Sequence, residues 1–187
     1  MKEFVIDLLK KKISPFYYYH NCEHTLYVLE KVAEIAQQEN CSAEEIKLLK
    51  TAALWHDIGF INVYNDHEEE GCEIAKKFLP GYGYSAEEIN KICGMIMATK
   101  IPQSPKNKLE EIIADADLEY LGTNSAVETS THLFMELRHL NPSLTKEKWN
   151  DIQISFLKQH HYFTVFCKKN SEPAKLLYLQ ALMNNAE

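Results

Sequence analysis

Glycine and proline are scarce in this chain, with six of each among 187 residues, about half their usual combined share of roughly 12%. So few turn-formers argue against collagen-like, proline-rich and many-turned all-β designs, and against a long disordered tail. Arginine is nearly missing. Arg138 is the sole one, and acidic residues outnumber basic ones 27 to 20, for a net charge of −7. A polyanion-binding surface shows clustered Lys and Arg and a basic balance, so no nucleic-acid polymer is expected as a partner. A small anion is a different matter, because one local cation can outweigh a weakly negative whole.

Long apolar runs are also missing. None approaches the roughly 18 residues of a membrane span, so no membrane partner is expected. The first twelve residues carry Glu3 and Asp7 within their apolar part and read as an amphipathic helix, not as a secretion signal. Five cysteines (Cys22, Cys41, Cys72, Cys93, Cys167) form an odd, scattered set without a C-x-x-C pair. They read as core thiols of a chain in a reducing, cytoplasmic compartment.

What is present is helical periodicity. An apolar content of 45% supports one self-sufficient core, and the length favours a single domain over residues 1–187. Apolar residues recur at three- and four-residue steps over about 3–13, 21–38, 43–56, 67–79, 86–99 and 109–121. Further helices fit about 124–139, 145–161 and 173–184. Ser42-Ala-Glu-Glu45 and Ser85-Ala-Glu-Glu88 read as capping boxes, and 101–107, with two prolines, as a loop. No strand alternation or hairpin signal appears. The expected fold is all-α, a globular helical domain of about eight or nine helices.

Four of the eight histidines lie in the first 67 residues, beside carboxylates. Tyr19-His-Asn-Cys-Glu-His24 sets His20 and His24 four apart, on one helical face if both are helical. His56-Asp57 closes an otherwise apolar helix, where imidazole and carboxylate would cost several kcal/mol unless paired or metal-bound. Asp115 and Asp117 lie two apart in a further apolar helix. Imidazoles from His24 and His56, with carboxylates from Asp57 and either Asp115 or Asp117, make a mixed nitrogen and oxygen set. Such a set suits one divalent ion such as Mn, Ni, Fe, Zn or Mg. Bundled helices with inward-facing groups are its natural scaffold.

The order H…HD…D resembles the HD-domain superfamily of metal-dependent phosphohydrolases, and Y-H-N-x-x-H-T is similar to the first motif of cyclic-nucleotide phosphodiesterases. The likeness extends through His67-Glu-Glu-Glu-Gly71, Ala98-Thr-Lys100 and Asp115-Ala-Asp-Leu-Glu-Tyr-Leu-Gly122. It reaches Phe156-Leu-Lys-Gln-His-His-Tyr-Phe-Thr164, which looks like the C-terminal signature of small bacterial members. The resemblance implies an all-helical fold, with His24, His56, Asp57 and Asp117 as metal ligands and His20 as proton donor to the leaving oxygen. Asp117 is chosen because Ala116-Asp-Leu118 matches the family pattern, which leaves Asp115 as an outer or surface carboxylate. Members with two metals supply extra histidines after the HD pair. Here His67 is followed by none until His132, so one tightly held ion is expected, with at most a weak second one.

The implied activity is metal-dependent hydrolysis of a small phosphate ester, most naturally a nucleotide. Asp57 or Asp117 would orient the attacking water, and His67, Lys100 and Asn21 are candidate substrate-binding residues. Asn21 serves equally well as a helix N-cap. Glu68-Glu69-Glu70 reads as a solvated face. Two other readings stand beside this one: an HD-type di-iron oxygenase, and a non-catalytic nucleotide- or metal-binding module.

Overall fold

The computed structural model describes residues 1–184. Among them the backbone forms ten α-helices and no strand, in line with the all-α expectation. The helices are α1 (Lys2–Lys12), α2 (Cys22–Gln38), α3 (Ala43–Trp55), α4 (His67–Phe78), α5 (Ala86–Ala98), α6 (Lys108–Asp117), α7 (Ala126–Leu140), α8 (Lys146–Gln159), α9 (Val165–Asn170) and α10 (Glu172–Asn184). Short 3-10 turns occupy Ile58–Ile61, Leu79–Tyr82 and Glu119–Gly122.

The helix starts follow from local chemistry. Ser42 and Ser85 each accept a hydrogen bond from the backbone three residues on, and Glu45 and Glu88 return the bond. Both capping boxes are therefore complete, which satisfies backbone donors that a helix start otherwise leaves open. The structure adds one helix to the expected set. Thr164 caps the six residues of α9 by accepting from the Cys167 amide, a segment too short to show periodicity. It also shortens another: α6 stops at Asp117, and the chain tightens into the 3-10 turn Glu119–Gly122 instead of continuing to 121. Gly122 lies so close to Ser171 that a Cβ would sit 2.4 Å from its carbonyl oxygen, an approach open only to glycine.

The chain divides into two compact units, one of residues Met1–Ser14 with His20–Asp117, the other of Pro15–Tyr19 with the residues from Leu118 onward. In the first, α2 packs on α3 and α6, while α5 packs on α3, α4 and α6. Val28, Val32, Ile35, Leu49, Ile92, Ile96, Ile112 and Ile113 are fully buried there, each contributing about 1.5–3 kcal/mol by burial. The 3-10 turn after Asp57 packs on α4 through Gly59, where a Cβ would stand 1.9 Å from the His67 carbonyl oxygen. Gly59→Ala is therefore expected to cost about 1–3 kcal/mol by overpacking and to lower Tm by several degrees. Thermal unfolding checks it, and an unchanged Tm would contradict the close approach.

In the second unit, α10 packs on α8, α9 and the Glu119–Gly122 turn. Lys175 is fully buried in α10. Its Nζ pairs with Glu172 at 2.7 Å, donates to the His160 backbone carbonyl, and lies 3.3 Å from His160 Nδ1. A buried ammonium needs such partners to offset its desolvation. Tyr162, also fully buried, donates from its hydroxyl to the carbonyls of Leu118 and Glu119 at 3.1 and 3.3 Å.

His160 records this surrounding in its acidity. Burial, with the Lys175 charge adding to it, lowers its pKa from 6.5 to about 4. As pH falls, the unfolded chain takes up this proton before the folded one does. The stability His160 contributes is therefore full above about pH 6.5 and is lost as pH falls through 4, to a total of about 3 kcal/mol at most. Urea unfolding at pH 7, 5.5 and 4.5 checks this, and His160→Phe is expected to flatten the difference.

Candidate metal centre

The site is built from helix ends. Asn21 caps α2, its carboxamide oxygen accepting from the amides of Glu23 at 2.8 Å and His24 at 3.2 Å. That cap places His24 in the first turn of α2, with its side chain buried. His56 and Asp57 follow the last residue of α3 and are buried to 1% and 3% exposure. Asp117 is the last residue of α6. Three helices thus deliver four polar side chains to one place.

The distances are short. His24 Nε2 stands 3.3 Å from His56 Nε2, 3.0 Å from Asp117 Oδ1 and 3.6 Å from Asp57 Oδ2. His56 Nε2 stands 3.2 Å from Asp57 Oδ1 and 3.5 Å from Asp117 Oδ1. Donor atoms that share an ion at about 2.0–2.2 Å are separated by about 3.0–3.6 Å along the edges of an octahedron or tetrahedron, the spacing found here. His24, His56 and Asp117 each offer an atom within 4.8 Å of the other two, and Asp57 lies beside this trio, facing both imidazoles.

Two further observations fit a cation. Asp57 Oδ2 is buried without a hydrogen-bond partner, a costly state for a carboxylate oxygen unless something positive meets it. His56 Nδ1 donates to the Ala53 carbonyl at 2.8 Å, which in the neutral ring turns the Nε2 lone pair into the group, as metal-binding imidazoles are commonly oriented. Two imidazoles and two carboxylates balance a divalent charge.

Electrostatics couples the same groups. Burial alone would raise both carboxyl pKa values, but hydrogen bonds from His24 and His56 bring Asp117 down to about 2. The His56 charge and hydrogen bond hold Asp57 well below the usual carboxylate range. Burial disfavours the His56 cation, yet the Asp57 charge and the bonds to Asp117 and Asp57 raise its pKa well above the ordinary value. Protons and a metal ion compete for these side chains.

His20 and His67 lie beside the group. The His20 ring packs 4.2 Å from the Phe60 ring, 6.2 Å from that of His24 and 6.0 Å from that of His67. His67 stacks on Phe60 at 3.8 Å, and its Nδ1 meets the Tyr64 carbonyl at 3.3 Å. Its Nε2 lies 3.6 Å from Asp57 Oδ1 and 3.5 Å from Glu68 Oε1. Burial lowers the His67 pKa against the pull of Asp57.

Glu68 departs from the solvated face expected of the 68–70 run. It is buried at 6% exposure, and burial raises its pKa. The signal was in the sequence: Glu68, Gly71, Cys72 and Ala75 fall at helical spacing on the buried stripe of α4. Asp115 is fully buried, so it is no surface carboxylate. Asn21 is engaged as the α2 cap. Lys100 is gripped by Asp66 at 2.7 Å and by Glu69, and these carboxylates raise its pKa above the usual lysine range.

Comparison with known proteins meets this geometry from outside. The chain is similar over its whole length to a predicted HD superfamily hydrolase from an uncultured Thermotogales bacterium, with a TM-score of 0.67 and 19% identity, covering 97% of this chain and 89% of that one. It is likewise similar to Bacillus subtilis YpgQ, solved in complex with ADP, with a TM-score of 0.65 and 13% identity over 99% and 97% of the two chains. At these identities the likeness speaks for the fold. A 101-residue stretch is 30% identical to the β sliding clamp of Mycoplasmopsis pulmonis, which covers 50% of this chain and 24% of the clamp. The chain therefore spans about a quarter of that relative. The family model described as HD domain matches residues 21–119, a span that starts at the cap of His24 and ends just past Asp117. The chain belongs to the HD-domain family.

Proposed function

We propose that the protein is a metal-dependent phosphohydrolase acting on a small phosphate ester, with a nucleotide as the preferred substrate class. The observation that carries this reading is the convergence of His24, His56, Asp57 and Asp117, with the buried Asp57 Oδ2 making no hydrogen bond. These four would hold one divalent ion, which when bound lowers the pKa of water and polarises a phosphoryl oxygen. The ADP complex of the Bacillus subtilis neighbour supports the nucleotide class. The match of one HD superfamily hydrolase across 97% of the chain supports reading residues 1–187 as one HD-type domain.

The side chains divide the remaining work. Asp57, whose Oδ2 can accept a hydrogen bond, orients the attacking water in line with the scissile bond. His20, within ring-to-ring distances of about 6 Å of His24 and His67, donates a proton to the departing alkoxide as its bond to phosphorus breaks. His67, with Nε2 directed at Asp57 and Glu68, offers a donor to a phosphoryl oxygen. Lys100 and Asn21 join the substrate only by exchanging contacts they already make, Lys100 its clamp and Asn21 its cap.

The test uses the full chain stripped with EDTA and reloaded with Mn, Ni, Fe, Zn or Mg. Hydrolysis of p-nitrophenyl phosphate or bis(p-nitrophenyl) phosphate is expected only after reloading, followed by a preference among nucleotides in a substrate panel. Two irons per chain with oxygen consumption would favour the di-iron oxygenase instead. Nucleotide binding without turnover under every metal would favour the binding module.

A further inference from the structure

Outside the metal centre, the first unit brings together two thiols that are 21 residues apart in sequence. Cys72 on α4 directs its sulfur at the Cys93 carbonyl at 3.5 Å, and Cys93 on α5 directs its sulfur at the Cys72 carbonyl at 3.8 Å. This reciprocal contact means the two side chains face one another across packed helices. Both residues are buried, at 5% and 8% exposure. They nevertheless line a cleft of about 260 Å³, together with Glu69, Glu73, Lys76 and Met97. The cleft gives a small oxidant a route toward this pair.

We propose that Cys72 and Cys93 form a redox-convertible dithiol that a peroxide oxidises to an intramolecular disulfide joining α4 to α5. The two thiols are not equivalent. The adjoining Cys72 thiol lowers the Cys93 pKa, burial opposes it, and the nearby Lys76 charge assists. The same contact, together with burial, raises Cys72. Cys93 is thus the nucleophile and Cys72 the resolving partner, the arrangement expected of a sensor pair.

The chemistry balances in two steps. The Cys93 thiolate attacks one oxygen of hydrogen peroxide. An S–O bond forms, the O–O bond breaks, the sulfur loses two electrons to the peroxide, and hydroxide leaves to be protonated to water. The Cys72 sulfur then attacks the Cys93 sulfenic acid. The S–S bond forms, the S–O bond breaks, and the hydroxyl departs with the Cys72 proton as a second water. Facing side chains on adjacent helices suit the short reach of a disulfide.

The reduced full-length protein would be treated with a few equivalents of hydrogen peroxide, blocked with iodoacetamide, digested without reductant and mapped by mass spectrometry. The expected product is a Cys72–Cys93 linked peptide pair in a monomeric chain, with free thiols falling from five to three and returning on reduction. In Cys72→Ser the expected product is a dimedone adduct on Cys93, formed in greater yield than in the parent. Five unmodified thiols after peroxide would overturn the proposal. So would a bridge to Cys22, Cys41 or Cys167, or Cys93 sulfinate accumulating in the parent without a crosslink. The parent mapping decides the matter even if the serine variant folds poorly.

Discussion

Replacing Asp57 by alanine is expected to abolish metal binding and reduce hydrolysis to the uncatalysed background. Asp57 is 3% exposed, and its carboxylate, like that of Asp117, faces both imidazoles, at 3.2 and 3.6 Å. Without it, the remaining donors carry one negative charge against a divalent ion, and the His56 imidazole loses its strongest electrostatic partner. The cleanest readout is thermal. An ion supplied at 100 times its Kd stabilises the parent by about 2.7 kcal/mol, or roughly 5–10 °C in a chain of this size.

That metal-induced shift is expected to vanish in Asp57→Ala, together with metal retained after gel filtration. The comparison is between shifts and not between absolute Tm values, because removing a buried carboxylate also alters the metal-free protein. Asp57→Asn keeps the shape and one acceptor but loses the charge, so it should fall between the two. A full metal-induced shift in the alanine variant would remove Asp57 from the ligand set.

His20→Ala is expected to separate metal binding from turnover. The ring sits against Phe60 beside the ligand group, and removing it leaves all four donors in place. The metal-induced thermal shift should persist while turnover of an alkyl phosphate falls by about 10²–10⁴-fold, the usual worth of a positioned acid. The leaving group supplies the control. A p-nitrophenolate departs without needing a proton, so the variant should lose far less on p-nitrophenyl esters. Equal losses on both substrates would point to a packing role for His20, and full rate on the alkyl ester would end the acid assignment.

The oxidation of Cys72 and Cys93 is independent of these results, since it would be read by peptide mapping and not by hydrolysis. Similarly, Gly59→Ala and the acid sensitivity of His160 test the fold and leave the chemistry aside.

Much of this was legible before any coordinates. The capping serines at 42 and 85, the apolar stripes of α2, α3 and α5, and the scarcity of glycine and proline all act locally, through neighbours within one or two helical turns. The His-Asp pair at the end of an apolar helix was legible too, because burying two such groups makes sense only if a partner arrives. Glu68 was misread because three consecutive acids look solvated, although its helical spacing with Gly71, Cys72 and Ala75 placed it inward. Lys100 as a phosphate ligand was inferred without sight of Asp66 and Glu69, which hold it from 34 and 31 residues away.

Local composition and period, then, determined that this chain is helical, where most helices begin, and which residue types stand as candidates for a metal centre. Only the tertiary structure decided how those residues meet. It set Asp117 3.0 Å from His24 and laid Cys72 against Cys93. The reason is physical. A cap or an apolar stripe is satisfied by atoms a few residues away, whereas a cluster of buried donors depends on how separate helices pack, and that is settled by the whole core at once.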